Sequence, residues 1–162
     1  MTEKKQKLLY SVKEIFSDDG FLKEKNTEFY NIPHYQRGYK WNSNNVIKLL
    51  DDIQNSNVKD DLFYCIQNIT ITKKNDVYNV IDGQQRLTTL TIILSYLGEK
   101  ELVYNKVRFP DNSIRKYTNE ILNNWITNKE FDFYSQFPDW KSIIESKPEY
   151  DLQDIYHIVL VA

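Results

Sequence analysis

Five consecutive residues, Asp82, Gly83, Gln84, Gln85 and Arg86, carry groups suited to an anion and almost nothing to bury. They join YNVI, residues 78–81, which reads as a buried strand, to LTTLTIILSYLG, residues 87–98, which reads as an apolar helix ending at Gly98. A strand, a glycine turn and a helix together present backbone N–H groups that have no acceptor in the helix, and the helix dipole adds roughly half a positive charge at that end. Gly83 allows a tight turn and a close approach to a ligand, with no Cβ in the way. Arg86 supplies a planar, bidentate donor for phosphate. The amides of Gln84 and Gln85 can bind phosphate, orient water or read a base, and Asp82 can accept from the helix terminus or hold a metal ion through water. The same junction also suits a plainer role, with Asp82 as an N-cap and Arg86 as a solvated residue of the first turn. Spacing alone does not separate the two, and no GxxxxGK(S/T) phosphate loop is present.

A second cluster stands in IPHYQRGYKW, residues 32–41, where Tyr35, Gln36, Arg37, Tyr39, Lys40 and Trp41 fall within ten residues. Cations interleaved with aromatic rings suit a polyanion with stackable bases. They equally suit aromatic residues packed beneath a sheet with Arg37 and Lys40 in water. Both glutamine–arginine clusters follow expected strands, so a fold that brings those strand ends together would make one cleft of them.

The elements that must position these residues follow from periodicity. Residues 4–17 place Leu8, Leu9, Val12, Ile15 and Phe16 on one helical face, with SDDG at 17–20 as a stop. TEFYNIP, residues 27–33, reads as a short strand ending at Pro33. Ser43 suits the N-cap of a helix that turns Val46, Leu49, Leu50 and Ile53 inward. LFYCIQNITITKK, residues 62–74, reads as a strand, Asn75-Asp76 as a hairpin tip and VYNVI as the returning strand. Cys65, on the first of these strands, is expected to be a buried small hydrophobe. Helices are expected over 112–128, 138–146 and 151–161, starting near Ser113, Pro138 and Asp151. Ile114, Tyr117, Ile121, Leu122 and Trp125 form the stripe of the first. The division this suggests is a core over residues 1–100 and a helical extension over 101–162.

Composition narrows the class. The 162 residues are 41% hydrophobic and 14% aromatic, enough for a sizeable core. A net charge of -2, from 21 basic and 23 acidic residues, excludes a surface that is nucleic-acid or membrane footprint throughout and leaves room for a local basic patch. A single cysteine cannot form an internal disulfide, so a cytoplasmic setting is expected. No apolar run approaches the ~20 residues that span a bilayer, and the opening MTEKKQKLLYSVKEIF lacks the apolar stretch of a signal peptide.

The two clusters, read as IPHYQRGYKW and VIDGQQRLTTL, residues 80–90, resemble the family known as domain of unknown function 262, the N-terminal domain of GmrSD-type modification-dependent restriction systems and related phage-defence proteins. LLDDI at 49–53 and YCIQNITI at 64–71 fit one branch of it. The resemblance covers residues from about 10 to 98 well and the rest loosely. It implies an α+β fold with a ParB/sulfiredoxin-like core, a small mixed sheet flanked by helices, followed by a helical region. It also implies a module that binds and hydrolyses a nucleoside triphosphate (GTP, UTP, CTP or ATP) with Mg²⁺ and regulates cleavage of modified DNA by an HNH-type nuclease domain or subunit. Carried onto this chain, the implied catalytic residues are Asp82, Gln85 and Arg86. The nucleotide and phosphate contacts fall to Gly83, Gln84, Gln85 and Arg86 with Tyr35, Gln36 and Arg37, and Asp82 is the metal candidate. A homo-oligomer and DNA are the further partners, and no membrane is expected.

The departures are as informative. Sulfiredoxin chemistry needs a cysteine in this turn, and the turn has none. The only histidines, His34 and His157, lack the spacing of an HNH site, so nuclease chemistry is not expected from this chain. A ParB-like nuclease is disfavoured too, because Asp51 and Asp52 read as the solvated edge of a helix with no accompanying lysine near the turn. The alternative is a DNA-binding or modified-base-sensing module without hydrolysis, with a base stacked on Tyr35, Tyr39 or Trp41. The closing run IYHIVLVA ends on uncapped hydrophobes, so the chain is expected to be the N-terminal part of a longer protein. The intact mass of the native product is then expected to exceed 19.4 kDa, and a mass equal to it would refute the expectation.

Overall fold

The computed structural model describes residues 7–56, 63–74, 77–109, 118–119, 122–123 and 135. In chain order its elements are α1 (Val12–Phe16), α2 (Phe21–Glu24), β1 (Tyr30–Asn31), α3 (Ser43–Asn55), β2 (Thr70–Lys74), β3 (Val77–Asp82), α4 (Gln84–Tyr96), α5 (Lys100–Val103) and β4 (Val107–Arg108). The strands form one sheet in the order β2-β3-β1-β4. β1 runs parallel to both β3 and β4, whereas β2 pairs antiparallel with β3. A small mixed sheet flanked by helices is the expected α+β class.

Local chemistry sets the element boundaries, and several differ from expectation. The Ser11 hydroxyl accepts from the Glu14 N–H at 3.2 Å while the Glu14 carboxylate accepts from the Ser11 N–H at 2.9 Å. This capping box starts α1 at Val12 rather than near residue 4. Leu8 and Leu9, expected on the inward face, are 86% and 54% exposed. In α3 the N-cap is Asn42, not Ser43, because Asn42 and Asn45 exchange the same reciprocal pair of bonds. Val46 and Leu49 are buried as expected, but Leu50 and Ile53 are exposed.

The long strand expected over 62–74 is reduced to β2, which begins at Thr70. Gln67 has φ +81°, a left-handed conformation that no extended strand can carry. Cys65, upstream of it, is consequently exposed and not the buried hydrophobe expected. β2 and β3 pair with Lys74 opposite Val77, and the expected tip, Asn75-Asp76, lies outside the described residues.

α4 is the central element. Leu87, Leu90 and Ile92 lie in the core with Phe16, Leu22, Tyr30, Ile32, Val80, Val103, Val107 and Phe109. Gln84, Gln85, Thr88, Thr89, Thr91 and Ser95 are buried too, so α4 is covered around most of its circumference. Two of its threonines return their hydroxyls to the preceding turn, Thr89 to the Gln85 carbonyl at 2.8 Å and Thr91 to that of Leu87 at 2.9 Å. The helix closes with the Gly98 N–H on the Ser95 carbonyl and the Glu99 N–H on that of Leu94. With Gly98 at φ +100° this is a Schellman motif.

The sheet's fourth strand, β4, follows residue 100. The Tyr30 and Ile32 N–H groups donate to the carbonyls of Lys106 and Arg108, each at 2.8 Å. The Asn119 amide pairs with both backbone groups of Phe109 at 2.7 Å. Thr118, Asn119, Leu122 and Asn123 have helical backbone, within the helix expected over 112–128, and Leu122 is buried. The helices expected over 138–146 and 151–161 lie outside the described residues. Among the described residues no helix is long and apolar enough to cross a membrane.

Tyr39 ties the loop before α3 to α4. Since the Thr89 hydroxyl proton is committed to Gln85, the Tyr39 hydroxyl donates to Thr89 Oγ1, at 2.8 Å. Burial pushes the Tyr39 phenol up to about 12. The folded state therefore holds that proton more tightly than the unfolded chain, whose tyrosines titrate near ~10. Its contribution to stability is complete below that pH and is lost as pH rises towards 12. Tyr39→Phe is expected to lower stability at pH 7 by about 1 kcal/mol and to shrink the loss between pH 10 and 12, measured by denaturant titration across that range.

Candidate functional site

The turn between β3 and α4 starts with a local irregularity. Asp82 pairs with Thr70 and Val80 with Ile71, so Ile81 falls outside one-to-one pairing. The Ile81 carbonyl accepts instead from Gln36 Nε2 at 2.7 Å, which brings the first cluster to the second. Gly83 follows as the N-cap of α4 at φ +97°, with no side chain capping the helix. The first bond into the helix is from the Leu87 N–H to the Gly83 carbonyl at 2.9 Å, so the amides of Gln84, Gln85 and Arg86 precede the ladder and have no intrahelical acceptor. Asp82 is not the N-cap: it ends β3 with a side chain that is 71% exposed.

The two glutamines have different surroundings. Gln85 is buried, and its Oε1 accepts from the Lys40 and Trp41 N–H groups at 2.7 and 3.2 Å while Nε2 donates to the Gly38 carbonyl at 3.0 Å. Both lone-pair directions of its oxygen are taken, by loop backbone. Gln85 thereby positions residues 38–41. Gln84 is 7% exposed and donates Nε2 to the Arg37 carbonyl at 2.5 Å. Its Oε1 is buried and has no hydrogen-bond partner among the described residues. An acceptor left in that state costs about 1–3 kcal/mol unless something supplies a donor.

Arg86 is not a solvated residue of the first turn, because its side chain is only 16% exposed. Nη1 donates to Gln67 Oε1 at 2.6 Å and Nη2 to the Asn68 carbonyl at 2.5 Å, so the segment before β2 grips one edge of the guanidinium. Nη2 also lies 3.4 Å from Asp82 Oδ2, a long contact with an exposed carboxylate that contributes little. Nε is buried without a partner among the described residues. Gln67 and Asn68 were not legible as site residues in the sequence: their role depends on the left-handed backbone of Gln67, which no local pattern signals.

Gln36, Arg37, Trp41, Asp82, Gly83, Gln84, Gln85 and Arg86 together line a cavity of about 120 Å³. The expected convergence of the two clusters is thus present. Tyr35 is not part of it, being 63% exposed with its ring edge-on to exposed His34. Tyr39 is buried beneath the loop, so of the three aromatic rings considered for stacking only Trp41 lines the cavity. Arg37 and Lys40 are exposed beside it.

Chemically, the wall offers backbone N–H groups, a gripped guanidinium and one buried acceptor. A tetrahedral oxyanion fits the donors, and about 120 Å³ admits one phosphate group with a water or two, given ~30 Å³ per water, but no whole nucleotide. Gly83 is the tight point of the turn. A Cβ there would stand 3.1 Å from Ile69 Cγ1 and 3.4 Å from Arg86 Nη2, on a backbone that L-residues rarely adopt. Gly83→Ala is expected to cost about 1–2 kcal/mol in denaturant titration. Unchanged stability would show that the turn relaxes freely.

No curated protein and no solved structure matches the chain. A family model does, over residues 17–159, a span that contains the sheet, α4 and every residue lining the cavity. By that match the chain belongs to the GmrSD restriction endonuclease, N-terminal domain family.

Proposed function

We propose that this chain is the nucleotide-responsive module of a DNA restriction or phage-defence system, and that it binds a nucleoside triphosphate with the terminal phosphate in the cavity at the N-terminus of α4. The observation that carries the reading is the assembly of one phosphate-sized cavity from two distant clusters, lined by Arg86, by residues with unladdered N–H groups and by Gln84, whose buried Oε1 has no partner among the described residues. A helix N-terminus alone would be a weak argument; a buried polar atom without a partner at the same place is an independent one. On this reading the rest of the nucleotide would lie outside the cavity, along the exposed side where Arg37 and Lys40 stand.

Mg²⁺ fits this arrangement in a specific way. Among the described residues no group of three or more His, Cys, Asp or Glu side chains could hold a metal ion. Mg²⁺ characteristically takes one or two carboxylates plus substrate phosphates and keeps several waters. Asp82, exposed at the cavity and in long contact with Arg86, is the carboxylate that would hold it, and the ion would supply charge neutralisation for the phosphates. Arg86, whose guanidinium Gln67 and Asn68 hold beside the cavity, would stabilise charge on the phosphate. Gln36 and Gln85 hold the two strands of the site together.

The test is thermal stability of the protein with each nucleoside triphosphate, with and without Mg²⁺. Saturation at a hundredfold excess over Kd is expected to stabilise the wild type by about 2.7 kcal/mol. Arg86→Ala is expected to abolish the shift. A shift that persists in the variant would move the nucleotide away from this cavity. No shift with any nucleotide would favour the DNA-binding reading, in which a DNA phosphate occupies the cavity and binding weakens steeply with salt.

A further inference from the structure

We propose that Gln67 is a positioning residue of the anion site, holding the Arg86 guanidinium at the turn before α4 without neutralising its charge. The inference rests on the phosphate site proposed above and extends it to a residue outside the two clusters that line the cavity.

The first sign is in the backbone. Gln67 has φ +81°, in the left-handed region that glycine enters freely and glutamine rarely. Such a conformation costs free energy and persists where the surroundings fix it, often beside a ligand site. Burial does not impose it here, since Gln67 and Asn68 are both exposed. What glutamine supplies at this position and glycine would not is an amide, and its Oε1 accepts from Arg86 Nη1 at 2.6 Å. The neighbouring Asn68 carbonyl accepts from Nη2 at 2.5 Å. In an extended strand side chains stand across the sheet while carbonyls point along it, so the left-handed residue lets a side chain and the next carbonyl meet on one guanidinium.

The second sign is electrostatic. Both acceptors are uncharged, so they fix the position of the guanidinium and leave its positive charge for a ligand. The Asp82 carboxylate stands 3.4 Å from Nη2 with a side chain that is 71% exposed, where solvent screens the pair. The held group also lies where an anion would need it. A Cβ on Gly83 would stand 3.4 Å from Nη2, so the guanidinium rests against the residue that caps α4. An arginine ordered in advance spares the ligand that ordering, which for one long side chain amounts to about threefold to tenfold in Kd.

The experiment measures Kd for a nucleoside triphosphate with Mg²⁺ by calorimetry, and the melting temperature without nucleotide. The proteins are wild type, Gln67→Gly, Gln67→Met, Arg86→Lys and the double variant of Gln67→Gly with Arg86→Lys. Glycine relieves the backbone and removes the amide, whereas methionine keeps the length and the backbone demand but offers no comparable acceptor. Both single variants at Gln67 are expected to raise Kd about threefold to tenfold, and the glycine variant to melt no lower than wild type. With Arg86→Lys there is no guanidinium to hold, so the added glycine substitution is expected to leave Kd unchanged. A Kd indistinguishable from wild type in either folded variant at Gln67 overturns the assignment. So does an equal loss of affinity in the Arg86→Lys background, which would show that Gln67 acts without Arg86. Affinity lost together with melting temperature in both variants overturns it too, by making Gln67 a support of the fold alone. A wild type that binds no nucleotide overturns the phosphate site and this assignment together.

Discussion

A carboxamide has two N–H donors on one end and an oxygen with two lone pairs on the other, and Gln85 commits three of those four to the backbone of residues 38–41. Each bond contributes about 1 kcal/mol, but the larger effect is on the alternatives. A buried glutamine released from that loop would leave donors and acceptors unmatched in a low-dielectric interior. The loop therefore has one register on α4, held there also by the Tyr39 hydroxyl on Thr89. Everything else about the site depends on this clamp, because it sets the Arg37 carbonyl against Gln84 and Trp41 against the cavity.

The cost of building a helix this way is visible along α4. Nine of its thirteen residues are buried, and six of those carry polar side chains. An amphipathic helix would leave such groups in water; here they are buried and must find partners inside. Thr89 and Thr91 do so by bonding the turn behind them, and Gln85 by bonding the loop. Gln84 does so only by half, and Arg86 leaves Nε unmatched. Among the described residues the unmatched atoms are Gln84 Oε1 and Arg86 Nε, where β3 gives way to α4, and Arg108 Nε on β4.

The strand, turn and helix around residues 78–98 were legible because three signals coincide there: an apolar run, a glycine, and a second apolar run ending at another glycine. The second cluster was legible as chemistry, since aromatic and cationic residues without period do not make a core element. Its contact with the first was legible only as a possibility, because it requires Gln36 to find a carbonyl 45 residues away. Boundaries failed where a cap overruled periodicity. Leu8 and Leu9 fit a helical stripe, but Ser11 and Glu14 start the helix after them. Cys65 and the strand expected around it failed because Gln67 adopts a backbone that glutamine seldom takes, and a single residue of that kind ends a strand without changing its composition. The roles of Gln84 and Gln85 could not be separated from their order in the chain, since which amide meets the loop depends on the helix phase at the turn.

β1 is two residues long, yet it is an inner strand of the sheet, between β3 and β4. Its neighbours come from sequence positions far ahead of it, at 77–82 and 107–108. In a chain emerging residue by residue, the N–H groups of Tyr30 and Ile32 therefore wait on carbonyls that appear only at Lys106 and Arg108. The cavity residues are all made before that point, but the sheet beneath them is not closed. Assembly of this site is thus a late event, governed by loop closure over distant contacts rather than by the local turn that the site is built on.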